Sequence, residues 1–339
     1  MSKYRAVLVG LLLIGLTAMP ATAAISLTYA GAFKCATGGT APVTGITEGG
    51  IAYYPAGNGG VGSLFITEGA SSTRKELNEV AIPALVISND PSALNVATTL
   101  NRWDESATMA GVTYASDGKL YHVRASGNQG FTIGSVNTDG TGFVATVARE
   151  DWTGVLQGTT FDLIDSPMIS GYDKIVVAQD QSHKDLMMYA VNTSTAAKKQ
   201  ILQYDATHHR TGYSSTDLFY GAALVENGPD SALIVAGVLG GNNTLLFYNP
   251  GDIVNAVHTY DPQPYTTLSI QDRIFAPNNP NYPHKIWGLT YDSAHKMLYA
   301  IESQYSEPDY VHAWLVPEPT TLALLLGGGL IMVGRRRRA

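Results

Sequence analysis

Between Ile25 and Leu315 the chain alternates short apolar runs with Gly, Asn and Asp turns, and no long stretch keeps a helical period. One arrangement recurs. Gly50-Ile51-Ala52-Tyr53-Tyr54 passes through a Gly-rich turn to Ser63-Leu64-Phe65-Ile66-Thr67. Gly111-Val112-Thr113-Tyr114 leads through Ser116-Asp117-Gly118 to Lys119-Leu120-Tyr121-His122-Val123. Gly221-Ala222-Ala223-Leu224-Val225 leads through Asn227-Gly228-Pro229-Asp230 to Ala232-Leu233-Ile234-Val235-Ala236. Gly288-Leu289-Thr290-Tyr291 leads through Asp292-Ser293 to Lys296-Met297-Leu298-Tyr299-Ala300-Ile301. A degenerate unit reads Pro167-Met168-Ile169-Ser170, then Tyr172-Asp173, then Lys174-Ile175-Val176-Val177-Ala178.

Each unit predicts a strand, a tight turn and a second strand, with starts about 50 to 70 residues apart. Further strands follow at Leu186-Met187-Met188-Tyr189-Ala190-Val191 and Thr244-Leu245-Leu246-Phe247-Tyr248. Repeating a small antiparallel sheet at this interval suits a β-propeller, in which neighbouring blades bury one another's faces. The fold expected is all-β: a propeller of five to seven blades, the extra ones drawing on residues 25–47 and 141–147. Two β-sandwich domains split near Trp152 are the alternative.

Composition agrees with an ordered β-rich body. Of 339 residues, 45% are hydrophobic and only 14% charged. The net charge of −7 conceals an asymmetry, because Lys3, Arg5, Arg335, Arg336, Arg337 and Arg338 all lie near the two ends. Without the ends (and without Glu318) 15 basic residues face 27 acidic ones, so the body is nearer −12. Such a body repels nucleic acid and anionic membranes but tolerates divalent cations and neutral glycans. One cysteine, Cys35, allows no internal disulfide, and its bland role is a small, partly buried residue.

The ends read as addresses. Lys3 and Arg5 precede an apolar run from Ala6 to Leu16, and Ala21, Ala23 and Ala24 place small residues where signal peptidase cuts. Residues 1–24 are expected to be a secretory signal peptide, with 25–315 the extracellular domain. Residues 316–339 begin Val316-Pro317-Glu318-Pro319-Thr320-Thr321, continue as an apolar stretch interrupted by Gly327-Gly328-Gly329, and finish in the four arginines. The prolines keep the backbone extended, the stretch is just long enough to enter a bilayer, and the arginines would stay cytoplasmic.

This tail resembles the PEP-CTERM sorting signal: a Val-Pro-Glu-Pro motif, a Leu/Gly-rich helix and a terminal Arg run. The resemblance covers about the last two dozen residues. It implies processing by an exosortase in a Gram-negative, exopolysaccharide-producing bacterium. It further implies transient anchorage in the inner membrane, then delivery to the cell surface or biofilm matrix. Thr320 stands where Ser is frequent.

Signals for chemistry in the body are sparse. Gly57-Asn58-Gly59-Gly60-Val61-Gly62 precedes a β run rather than a helix, so it reads as a hairpin turn, not a phosphate cradle. Asn137-Thr138-Asp139-Gly140-Thr141-Gly142 offers oxygens that Ca²⁺ could use. It lacks the full loop spacing and the bidentate Glu, and reads as a turn. His122, His183, His208, His209, His258, His284, His295 and His312 form no helical zinc pair and are expected at surfaces or turns. Glu150-Asp151-Trp152 and Arg102-Trp103-Asp104-Glu105 join carboxylates to an indole that could stack on a sugar ring, although exposed acids beside a partly buried Trp explain them too. No Gly-x-Ser-x-Gly elbow is present. The loops Tyr260-Asp261-Pro262-Gln263-Pro264-Tyr265 and 277–284 are where a ligand surface would first be sought.

Two functions suit these features. The first is a non-catalytic matrix protein that meets exopolysaccharide or other surface proteins, with no cofactor required. The second is a propeller hydrolase or lyase for glycans or phosphoesters, with carboxylates lining a central channel.

Overall fold

The computed structural model describes residues 25–35, 49–68, 76–104, 109–125, 131–152, 158–180, 186–204, 208, 217–227, 230–275, 284–303 and 309–317. The predicted leader and nearly all of the predicted tail lie outside them. Among the described residues, no helix is long and apolar enough to cross a membrane.

The apolar runs become strands, and the turn residues between them close antiparallel pairs. Twenty strands among the described residues form five four-stranded sheets. Blade 1 comprises β2 (Ile51–Tyr54), β3 (Ser63–Glu68), β4 (Glu76–Ala81) and β5 (Thr99–Asp104). Blade 2 comprises β6 (Met109–Tyr114), β7 (Leu120–Ala125), β8 (Phe131–Val136) and β9 (Val144–Val147). Blade 3 comprises β10 (Gly158–Asp165), β11 (Lys174–Asp180), β12 (Leu186–Val191) and β13 (Lys198–Gln203). Blade 4 comprises β14 (Leu218–Asn227), β15 (Asp230–Leu239), β16 (Asn242–Tyr248) and β17 (Thr266–Ser269). Blade 5 comprises β18 (Lys285–Asp292), β19 (Met297–Ser303), β20 (Tyr310–Leu315) and, as its outer strand, β1 (Thr28–Lys34).

This is a five-bladed propeller, and the two-sandwich alternative is not realised. Residues 25–35 add no sixth blade. They close the ring, with Thr28 opposite Leu315 and Lys34 opposite Tyr310. The free edge of β1 is covered in turn, since Ala32 and Val86 exchange backbone hydrogen bonds of 2.9 and 3.0 Å. Residues 144–147 are the outer strand of blade 2. The degenerate unit departs from expectation: Pro167-Met168-Ile169-Ser170 belongs to a turn, and the strand that pairs with β11 is β10.

Burial follows the layering. All six residues of β12 are buried, because blades cover both its faces. The outer strand β17 is mostly exposed. Apolar clusters fill each seam between blades, such as Phe65, Leu77, Leu120 and Val136 between blades 1 and 2, and Val123, Phe131, Trp152 and Val176 between blades 2 and 3.

The recurring glycines mark the propeller axis. A Cβ on Gly50 would lie 2.5 Å from the backbone N of Val112, one on Gly111 2.4 Å from that of Leu163, and one on Gly221 2.6 Å from Cα of Gly288. Inner strands therefore touch backbone to backbone. In blade 3 the corresponding residue is Asp162, which is fully buried and projects into the space the glycines leave. Its Oδ2 accepts from Ala222 N–H at 2.9 Å and Leu289 N–H at 3.3 Å, and Oδ1 from Leu163 N–H at 2.9 Å. Burial drives its pKa well above the ordinary range, against the pull of those three bonds.

Candidate functional site

Three groupings of polar side chains stand out among the described residues. The axial carboxylate is the first. Its two oxygens already accept three backbone N–H groups, drawn from blades 3, 4 and 5.

The second lies where β18 begins and β19 ends, called here the upper end. Glu302 interrupts the apolar run of β19 and is 0% exposed. Its Oε1 accepts from Nδ1 of His284, its Oε2 accepts from Nε2 of His312 at 2.5 Å, and the N–H of Phe275 adds a bond at 3.1 Å. Nδ1 of His312 lies 3.0 Å from the Tyr29 hydroxyl. Burial alone would raise the Glu302 pKa, but the two imidazoles more than offset it and hold the carboxyl below its usual range. Nearby Asp309 is pushed up to about 7, chiefly by burial and by Glu302, against the Ser303 hydroxyl and His284. This network ties β1, β18, β19 and β20 together inside the protein. Glu302, His284 and His312 are sealed from solvent and Tyr29 is half-buried, and among the described residues no group of three His, Cys, Asp or Glu is arranged to hold a metal ion.

The third grouping is accessible and lies toward the lower face, where the inner strands end. A cleft of about 500 Å³ opens at the seam of blades 1 and 2. Its walls come from the Gly57–Gly60 turn, from β5 and from the turn after β8. They include Tyr54, Asn58, Glu79, Asn101, Trp103 and Asp139. Asn58 adopts φ +50, and Gly59, Gly60 and Gly62 are also left-handed, so this turn needs residues without a β-branch. Glu79 is held by the Ser63 hydroxyl at 2.7 Å and the Asn101 amide at 2.6 Å. Trp103 packs at 5.8 Å from Phe65 and against Gly140, where a Cβ would sit 2.2 Å from the indole. The result is an aromatic wall beside fixed carboxylate, amide and hydroxyl groups.

A second cleft, of about 390 Å³, lies one seam further, between blades 2 and 3. Tyr121, Tyr172, Asp117, Asp165, Asp173 and Lys174 line it. The Lys174 ammonium is 2.8 Å from Asp165 and 3.0 Å from Asp173, and sits 4.2 Å above the Tyr121 ring. The Tyr121 hydroxyl donates to Asp117 at 2.8 Å, and burial together with that carboxylate lifts its pKa to about 12. Two carboxylates thus hold the one ammonium, and a third holds the Tyr121 hydroxyl.

The structure redistributes the residues singled out by sequence. The Gly57–Gly62 segment is the hairpin connection expected. In the 137–142 turn, Asp139 Oδ1 accepts from the N–H and hydroxyl of Thr141 at 3.0 and 2.6 Å, so its oxygen closes the turn itself. Both segments nevertheless meet Trp103 in one cleft. Trp152 does not offer a stacking face: it is 0% exposed, 4.2 Å from Phe131 and 5.8 Å from Tyr189. Glu105 and the side chains of Asp104 and Glu150 lie outside what is described, and Asp151 caps a turn by accepting from Ala148 N–H at 2.8 Å.

The expectation for the histidines fails at three positions. His122, His284 and His312 are buried: His122 and His312 stand on strands covered on both faces, and His284, just before β18, turns onto the buried Glu302. Burial and Arg124 depress His122 to about 3. His208 and His258 stack on Tyr260 at 4.2 and 5.0 Å, and His295 bonds to Asp292 at 2.6 Å. His183 and His209 lie outside the described residues. The 260–265 loop packs across blades 3 and 4, with Pro262 O accepting from the Tyr204 hydroxyl, just after β13, at 2.9 Å and Tyr265 N–H donating to Phe247 O at 2.8 Å. Of 277–284 only His284 is described. Cys35 is fully buried, its N–H donating to Asp309 O at 2.8 Å.

Of the predicted tag, Val316 is 1% exposed and packs in one cluster with Ile25 and Trp314, while its N–H donates to Lys296 O at 2.8 Å. Pro317 O accepts from the Asn227 amide at 2.8 Å. Glu318, Pro319 and Arg335 to Arg338 lie outside the described residues, as do Ala21, Ala23 and Ala24. Sequence reading missed Asp162, Glu302, Asp309 and the blade 2–3 cleft. The available signal was a lone carboxylate inside an apolar β run, as in Phe161-Asp162-Leu163 and Ile301-Glu302.

No protein-family model matches the chain, and no curated protein does. Among solved structures it is similar to a protein of unknown function from Dyadobacter fermentans, at 6% identity over 86% of this chain and 99% of that one, with a TM-score of 0.39. It is also similar to the Cps50 (Swd1) β-propeller domain of Myceliophteria thermophila, at 11% identity over 75% and 67%, TM-score 0.34. A third is an oligogalacturonate lyase in complex with manganese, at 11% identity over 75% and 55%, TM-score 0.31. At such identities and scores no activity, metal or partner passes from them to this chain.

Proposed function

We propose that this chain is an exported, exosortase-sorted surface or matrix protein whose propeller binds exopolysaccharide non-catalytically. One observation carries the binding part: Trp103 and Tyr54 wall an open cleft beside Glu79, Asn101, Asn58 and Asp139. A sugar ring needs such a pairing, because its C–H face packs on an aromatic ring while its hydroxyls meet carboxylates and amides. The sorting part rests on the tail sequence. It is helped by one feature of the fold: Ile25 and Val316, the residues flanking the two predicted processing points, are buried in the same cluster. Both ends would leave a completed domain at one place on its lower face.

A channel-lining hydrolase is the second reading and draws less support. Around the axis the inner strands touch, and the axial carboxylate is already engaged by backbone N–H groups.

Terminal-peptide mass spectrometry of native protein from membrane, matrix and medium tests sorting. A new start near Ile25 together with a new end near Pro317–Pro319 in the matrix fraction is the expected result. An intact tail found only in membranes would refute it. Binding is tested by titrating host exopolysaccharide into the protein and its Trp103→Ala variant. Removing the indole is expected to weaken binding at least tenfold, and equal affinity would reject the cleft.

A further inference from the structure

Two clefts with the same chemistry open at successive seams, on either side of blade 2 and toward the same face. The first has Tyr54 and Trp103 with Glu79 and Asp139, and the second has Tyr121 and Tyr172 with Asp117, Asp165 and Asp173. Turns of consecutive blades build both, with the aromatics and carboxylates placed at different positions of the repeat. Blade 2 contributes to each: Thr138 and Asp139 to the first, Ser116 and Asp117 to the second.

The charge is one-sided. The sole cation lining either cleft among the described residues is Lys174, which is 3% exposed and held by Asp165 and Asp173. Its ammonium, seated over the Tyr121 ring between carboxylates, shows what these walls accommodate: a primary amine against an aromatic face. Two similar sites one blade apart suit a ligand that repeats along its own length.

We infer that the two clefts together bind one polymer of amino sugars, its protonated amines set against the carboxylates and its rings against the aromatic walls. The inference rests on the glycan reading above and narrows it to cationic polysaccharide spanning blade 2. Engaging the second cleft becomes an intramolecular step once the first is filled, so affinity should climb with chain length.

The experiment uses the full-length protein and β-1,4-linked glucosamine oligomers from dimer to decamer, with their N-acetylated counterparts and polygalacturonate as controls. The decamer is expected to bind at least a hundredfold tighter than the dimer. Trp103→Ala in one cleft, and Tyr172→Ala or Asp117→Asn in the other, should each return the decamer to dimer-like affinity, and all binding should weaken with added salt. N-acetylated oligomers keep the rings but lose the ammonium, and should bind at least tenfold more weakly. Affinity independent of length, with the Tyr172 and Asp117 variants silent but Trp103→Ala damaging, would overturn the two-cleft inference and leave the glycan reading standing. Equal binding of N-acetylated oligomers, or tighter binding of polygalacturonate, would overturn the charge assignment. Absence of glycan binding at any length would overturn both.

Discussion

The Oδ2 atom of Asp162 accepts a 2.9 Å hydrogen bond from the backbone N–H of Ala222, a residue of the next blade. Together with the bond from Leu289 in the blade after that, it places one side chain across three inner strands. Buried N–H groups left without an acceptor cost about 1–3 kcal/mol each. Asp162→Ala removes the acceptor of three, so it should lower unfolding free energy by at least about 3 kcal/mol in urea melts. Asp162→Asn keeps one oxygen and sets an NH₂ against the remaining N–H groups, so its cost should be smaller, about 1–3 kcal/mol. An alanine variant within 0.5 kcal/mol of wild type, roughly the range of ordinary surface changes, would rule out this role.

A sharper contrast comes from glycines that look alike in the sequence. Gly111 meets backbone at the axis, with Leu163 N at 2.4 Å from a would-be Cβ. Gly171 has φ +84 but nothing within 4 Å. Backbone cannot swing aside as a flexible side chain can, so Gly111→Ala must push two blades apart, whereas Gly171→Ala meets only left-handed strain of about 1 kcal/mol. The expected order in thermal melts is a large loss, or no folded protein, for Gly111→Ala, and a fall of a few degrees for Gly171→Ala. Similar effects from both would show that the axis is looser than the geometry implies.

The glycines also explain how far the fold was legible. Gly50, Gly111, Gly221 and Gly288 open the visible repeats because each inner strand must approach its neighbour at backbone distance. A steric requirement at one point of the fold became a period in the sequence. The unit of blade 3 lacks this signal because Asp162 stands in the glycine's place, which leaves Pro167-Met168-Ile169-Ser170 as the nearest match to the pattern. Ring closure was not legible either, since pairing of Thr28 with Leu315 joins opposite ends of the domain and leaves no local pattern. The first cleft was visible only in pieces. The 57–62 turn, the 137–142 turn and Trp103 were each identified, but their convergence depends on how blades 1 and 2 pack, which no spacing along the chain encodes.

Closure by β1 carries its own prediction. Phe33 is 0% exposed and packs with Val311, Ile301 and Leu64, so it anchors the closing strand to blades 5 and 1. Truncating a buried Phe to Ala costs about 3–5 kcal/mol. Phe33→Ala should lose that much and bare the edge of β20, an open template for pairing with another chain. Size-exclusion chromatography should show species larger than wild type for the variant, with a peptide of residues 25–35 added in excess restoring the wild-type elution volume. A variant that elutes like wild type and is as stable would show that the ring does not depend on this strand.

At the upper end, two buried acids of blade 5 titrate in opposite senses. Glu302 is held below its usual range by His284 and His312, so its contribution is present above the unfolded pKa and is lost as pH falls through the folded one. Asp309 is raised from 3.8 to about 7. A carboxyl with a raised folded pKa binds its proton more tightly when folded, so its contribution is full below about pH 4 and is lost as pH climbs toward 7. Three pKa units correspond to a loss on the order of 4 kcal/mol across that window. Asp309→Asn mimics the protonated acid at every pH. It should match wild type near pH 4, become more stable than wild type at pH 7 and above, and flatten the decline between them. Glu302→Gln should instead destabilise at neutral pH by about 3–5 kcal/mol, because it strands two buried imidazoles that one carboxylate had served. Unfolding free energies at half-unit pH steps from 4 to 8 separate the two. An Asp309→Asn curve parallel to wild type across the whole range would mean that the buried acid of blade 5 does not hold a proton near neutrality.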